Sequence, residues 1–243
     1  MVDAASGIII SKEGARRIKM PEIVSIEEKD IFQITWSEAW TSKIFRTKLI
    51  IGWVLYISVL LYLPHFFAAI QQKQGVLLND VVLAFLPPVN MSPVIFALLY
   101  VTVIFTIFRA AKSPYLFLLY LWATLFVSVS RLLTNNFIPL EPPVGLVSLV
   151  DPILLPFYGP NGITKDLFYS GHTASVFLAY LILRRKKEKI IALIATIIVG
   201  ISLLLQHIHY TIDVISAPFF VYFFFVMAKQ FVLSRVEYPK MVY

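Results

Sequence analysis

Residues 189–214 read KIIALIATIIVGISLLLQHIHYTIDV. The stretch 189–206 approaches the roughly 20 apolar residues that a helix needs to cross a bilayer. It runs straight into His207, His209 and Asp213. The fold reading is therefore a membrane-crossing helix that delivers ionisable groups to one end of itself. Five further apolar stretches of similar kind lie near 49–70, 93–111, 114–133, 168–184 and 210–228. The expected fold is an all-α membrane protein of six transmembrane helices. It divides into an arm (1–48) carrying an amphipathic helix near 21–40, a catalytic bundle (49–228) and a tail (229–243). Ile23, Ile26, Ile31 and Ile34, beside Trp36 and Trp40, suggest that the arm helix lies on the membrane surface.

Composition agrees with that class. Of the 243 residues 59% are hydrophobic and 14% charged, and the mean hydropathy is +0.81. Soluble domains sit near 45–50% and about 25%. The absence of cysteine excludes disulfides, thiolate chemistry and zinc sites that need sulfur. No secretory signal is evident, because residues 1–48 are too long and too polar for a basic n-region.

The net charge of +7 is no nucleic-acid signal once its carriers are placed. Eight Lys and Arg lie in the arm to Lys48, two in the 109–112 turn, five in the 184–189 turn and three in the tail. Only Lys73, Arg131 and Lys165 lie on the other side. The positive-inside rule makes the basic side, with both termini, cytoplasmic. His172, His209, Asp213 and Arg131 then face the lumen or periplasm. The same side holds residues 76–90, read as an interfacial piece. It also holds 134–167, whose apolar run Val144 to Tyr158 is too interrupted to span.

The polar residues of that layer suit phosphoryl transfer on a lipid. A histidine and an aspartate four apart on a helix share one face, so Asp213 can fix the tautomer of His209 and raise its basicity. An ionisable group inside a span is costly and points to function. His172 follows Ser170-Gly171 at an expected helix N-terminus, where backbone N–H groups suit a phosphate. It can protonate a departing alkoxide. Arg131, Ser170, the Gly171 amide and Thr173 are placed to hold the phosphate oxygens. No metal and no cofactor is required. His207 is read as structural, and His65, beside Pro64, as a snorkelling side chain.

Asp166-Leu-Phe-Tyr-Ser-Gly-His-Thr173 and His209-Tyr-Thr-Ile-Asp-Val214 resemble the signature blocks of the sphingomyelin synthase family, a branch of the type-2 phosphatidic acid phosphatase superfamily. Residues 131–143 (RLLTNNFIPLEPP) resemble an upstream block of the same branch. The resemblance covers about residues 120 to 225. It implies a phosphohistidine at His209 supported by Asp213, with His172 as acid and then base, and it adds Tyr169 and Asp166 to the substrate-binding set. It implies a phospholipid donor, with a lipid hydroxyl or water as acceptor. Phosphatase-type members carry proline and arginine where this chain has Tyr169 and Leu203, and their lysine-containing motif is absent before Arg131. Fewer cations favour a phosphodiester, hence head-group transfer or phospholipase C-like cleavage.

Two rivals stand beside that reading: a lipid phosphatase on the same site, and a non-catalytic lipid-binding protein. Glu141, Asp151 and Asp166, with Tyr158, can hold choline or ethanolamine by charge and cation–π contact or can be solvated loop positions. The chain is compatible with an oligomer. The charge asymmetry generates a topological test. A labelling tag at position 150 should be reachable from outside the membrane and one at 187 should not. The reverse pattern would put the chemistry on the cytoplasmic side.

Overall fold

The computed structural model describes residues 31–149 and 163–234. Its helices are α1 (Trp36–Thr41), α2 (Lys43–Gln71), α3 (Val81–Ala84), α4 (Ser92–Ala110), α5 (Pro114–Phe137), α6 (Gly171–Ile182), α7 (Lys186–Leu205) and α8 (Thr211–Leu233). Among the described residues there is no strand, only an isolated parallel bridge between Val76 and Leu140. Local chemistry sets the helix starts. Ser42 caps α2, and prolines occupy the first turns of α4 and α5, where a missing N–H costs nothing.

Helices α2, α4, α5, α7 and α8 are long and apolar enough to cross a bilayer. The protein is thus an α-helical integral membrane protein. The fourth expected span, 168–184, is corrected. Helix α6 has 12 residues, a length of about 18 Å at 1.5 Å per residue, short of the bilayer core. Two events shorten it. Ser170 is fixed as N-cap by its amide bond to the Asp213 carbonyl at 3.1 Å, and the chain turns extended at Leu183. Because α6 packs against α4, α5, α7 and α8, it does not have to match the lipid by itself.

The arm helix is corrected as well. Thr35 is extended (ψ 162°) and caps α1 through a capping box with Glu38, so no single helix runs through 21–40. Residues 21–30 lie outside the described residues, as do the 150–158 part of the Val144–Tyr158 run and both Asp151 and Tyr158. Within 76–90 only α3 is helical.

Helix α5 is the axis of the core. Its Leu118, Leu119, Leu121, Trp122 and Leu125 pack with Phe45 and Leu49 of α2, Leu178 of α6 and Val221 of α8. At one end of the bundle the residues before α2 meet both basic turns. The Ser113 hydroxyl donates to the Phe32 carbonyl, the Trp36 indole to the Ala111 carbonyl, and Arg184 lies over the Phe32 ring. Lys48 donates to the last carbonyls of α8. Every residue of the expected site lies at the opposite end.

Helix α2 touches the bundle at its two ends and spreads from it between them. Phe66, Phe67 and Ile70 pack on Leu132 and Ile163 at the site end. Midway, a cavity of about 490 Å³ opens between α2, α5 and α8, lined by Leu55, Val59, Leu125, Val129 and Met227 among others. The other contact closes on Gly52, where a Cβ would come within 3.0 Å of Leu121 and 3.1 Å of Trp122. Gly52→Leu should therefore pry α2 from α5. The expected cost is about 1–3 kcal/mol, seen as a lower midpoint of thermal unfolding in detergent. An unchanged midpoint would show that this contact is not tight.

Candidate active site

Helix α7 ends at Leu205 and α8 begins at Thr211, and the bend between them carries the site. His209 stands before α8, with Tyr210 as the N-cap. The expectation that His209 and Asp213 share one helical face is thus corrected: the bend folds His209 back onto the first turn of α8. The two side chains still meet. His209 Nδ1 lies 3.4 Å from Asp213 Oδ2, with the side chains 2% and 0% exposed. Oδ2 is engaged elsewhere, accepting the Tyr210 amide at 2.9 Å. His209 Nδ1 and Asp213 Oδ1 are both buried without a hydrogen-bond partner. The pair is a poised contact that a small movement would convert into a bond.

His172 sits in the first turn of α6 with its ring centroid 6.3 Å from that of His209, at 65° between planes. Phe96 of α4 packs on it edge to face. The Ser170 side chain accepts the Thr173 amide at 3.4 Å, and the Thr173 hydroxyl is buried without a partner. First-turn amides of a helix lie beyond intrahelical carbonyls and carry positive potential. The two imidazoles therefore meet edge to face beside an anion-favouring helix end.

Arg131 comes from the last turns of α5 and lies flat on Gly171. A Cβ built there would meet the guanidinium at 2.5–2.8 Å. The guanidinium donates to the Tyr169 carbonyl at 2.9 Å and to Asp166 at 2.7 Å. Asn135, one turn on, donates to the same Asp166 oxygen and accepts the Leu167 amide. Asp166 is thus occupied in orienting Arg131. Tyr169, expected to bind substrate, is wholly buried. Its hydroxyl pairs with Ser130 at 2.7 Å and its ring stacks on Phe220 at 4.7 Å. It serves as a wall. Glu141 is turned away too, accepting from Lys165 Nζ and from the Gly75 amide.

The surrounding loops hold the bend through side chains that sequence reading passed over. Asp80 caps α3 and also accepts the amide and hydroxyl of Thr211 at 2.6 and 3.0 Å. Burial alone would raise its carboxyl, but the bonds from Thr211, Leu83 and Val82 outweigh that and hold it below the usual range. Gln206, 0% exposed, accepts the Met91 amide and donates to the Ser92 hydroxyl. The Tyr210 hydroxyl donates to the Glu141 carbonyl and accepts the Leu78 amide. Asp80 had a visible signal, an acidic residue just before an apolar turn. Gln206 had one too, a polar residue closing an apolar run.

Residues 165–230 match the family model described as PAP2 superfamily C-terminal. The match spans the Asp166–Ser170 approach, α6, α7, the bend and most of α8, and it excludes Arg131. Over this stretch, about a quarter of the chain, the protein is similar to the PAP2 superfamily. No curated protein and no solved structure matches the chain.

The seat of Arg131 on Gly171 generates a test. Gly171→Ala puts a methyl group where the guanidinium now lies, while alanine suits a helix start. Folded yield should be close to wild type and turnover of a phospholipid should fall on the order of tenfold to a hundredfold, as for a misplaced positioning group. Wild-type turnover would mean that the position of Arg131 is immaterial.

Proposed function

We propose that the protein is a phospholipid head-group phosphotransferase working through His209. The observation that carries the reading is the facing pair of imidazoles, one of them beside a buried carboxylate. With Nδ1 of His209 turned to Asp213, Nε2 is the nitrogen left to attack phosphorus. The bond from phosphorus to the lipid alkoxide breaks, and a protonated His172 gives that oxygen its proton. A phosphohistidine carrying the head group results. His172, now neutral, then takes the proton of an incoming hydroxyl as its oxygen attacks phosphorus, the P–N bond breaks, and His209 is restored. Arg131 and the first turn of α6 offset charge on the phosphate oxygens.

The acceptor is a lipid hydroxyl, as in sphingomyelin synthases, or water, as in phospholipase C-like cleavage. The nature of the neighbouring groups favours a diester over a phosphomonoester. Leu203, standing where phosphatase-type members carry arginine, is 0% exposed and packs with Ile95, Val176 and Val199. No cation reaches the phosphate from there. A lipid phosphatase remains the second reading, favoured by the superfamily of the match. The proposed orientation puts the site at the lumenal or periplasmic leaflet, because the site end is the end opposite the basic turns.

Purified protein with labelled phospholipid, with and without ceramide or diacylglycerol, decides between these reactions by the product formed. His209→Ala should abolish turnover and any acid-labile, base-stable phosphoryl adduct, and His172→Ala should slow it by about 10²–10⁴-fold. Asp213→Asn is the sharper variant. Asparagine can still accept the Tyr210 amide, so the helix start survives while the negative charge is lost. The equivalent change in a serine-protease triad lowers kcat by about 10⁴, and a smaller though still large fall is expected here, since the imidazole itself attacks. Near-normal turnover in a well-folded Asp213→Asn protein would sink the His209–Asp213 pairing.

A further inference from the structure

His207 precedes His209 by two residues and takes no part in the proposed transfer. Its backbone is left-handed, with φ 55°, a conformation that residues other than glycine seldom adopt. Its ring is held on both sides. Nδ1 lies 2.9 Å from the Val144 carbonyl oxygen and Nε2 lies 3.0 Å from the Leu86 carbonyl oxygen. A main-chain carbonyl can only accept, and a neutral imidazole has a single N–H. Both bonds can exist together only if both nitrogens carry hydrogen.

From this we infer that His207 is a charged positioning residue. As an imidazolium it helps to bolt the 84–90 and 142–147 segments to the bend that carries His209, and the loss of one proton removes its bond to one of them and loosens that segment. The inference rests on the reading that His209 is the nucleophile. The bolt is built for close approach: Gly145 has φ 82°, and a Cβ there would stand 3.2 Å from His207 Nδ1. Once the ring is neutral, one nitrogen points a lone pair at a carbonyl oxygen about 3 Å away, and that contact turns repulsive.

Other ionisable groups on the packed elements are engaged with other partners. Asp80 of the first segment is bound to Thr211, and Glu141 before the second is paired with Lys165. On the bend and α8, Tyr210 donates to the Glu141 carbonyl and Asp213 accepts the Tyr210 amide beside His209. Among the described residues no carboxylate lies within ion-pair distance of the His207 ring. The two carbonyls are what hold the ring, and its bonds add to the Val89 amide's bond to the Leu205 carbonyl and the Val147 amide's bond to the Gln206 carbonyl, so the state of this ring sets how tightly the two segments are held.

The chain contains no cysteine, so a single engineered one is unique. Phe85 is 83% exposed and adjoins Leu86. A spin label on Phe85→Cys, in the full chain in phospholipid vesicles, reports whether that segment is fastened. When pH is raised until the ring gives up its second proton, the mobile fraction of the label should increase several-fold. The step should vanish in His207→Gln and persist in His209→Gln and His172→Gln. In His207→Gln, kcat should fall on the order of tenfold to a hundredfold with little change in KM, and its pH profile should lose the matching alkaline limb. A label indifferent to pH with native His207 overturns the proposal, whether or not the glutamine variant folds. A step that disappears with His209→Gln or His172→Gln overturns it as well. A clear step in a protein without turnover would support the bolt and remove the transfer reading instead.

Discussion

Buried main-chain polar groups must find partners within the protein, and this constraint governs the whole site end. A helix satisfies its own backbone, but here α5 stops, α6 starts late, and α7 and α8 are parted by a bend, all in one layer. Each break strands N–H and C=O groups that would be costly to bury unpaired. The side chains of Gln206, His207, Tyr210, Asp80, Asn135 and Arg131 supply the missing partners. Most of the polar residues in this layer are therefore occupied with backbone, and the imidazole pair can exist only because that network keeps the bend rigid.

Seen from that constraint, α6 is short for a reason. Its N-terminus has to lie low enough for His172 to face His209, and the approach through Leu167 and Tyr169 is buried to put it there. The residues preceding α6 gain no helical hydrogen bonds and take them instead from Asn135 and from the Asp213 carbonyl. The same bonds tie α5, α6 and α8 together where the three must hold their geometry.

The apolar runs made the five long helices legible in the sequence, because bilayer length is a coarse quantity and hydropathy reports it directly. The charge sorting likewise separated the site from the basic end, and the structure places Arg184 and Ser113 away from His209 as that sorting requires. What stayed hidden lay in irregular backbone. Spacing of four implies a shared face only within a helix, and nothing in HIHYTID announces that the helix starts after His209. Nor could composition tell that Tyr169 and Asp166 are spent on Ser130 and Arg131. A tyrosine or a carboxylate beside a motif reads the same whether it faces a ligand or a neighbour 35 or 39 residues away in the chain.

Asp213 shows why an unfinished contact can be an asset on the proposed route. Its carboxylate is fully buried, with one oxygen on the Tyr210 amide and the other unpartnered. A buried charge in that condition is poorly compensated. Attack by His209 places positive charge on the imidazole, and the nearby carboxylate then gains the partner it lacks. Since the improvement comes as charge develops and not on substrate binding, it lowers the barrier without tightening the ground state. A fully formed His209–Asp213 bond in the resting protein would have forfeited part of that difference. The 3.4 Å separation is what leaves it available, and the rigid bend is what keeps the remaining movement small.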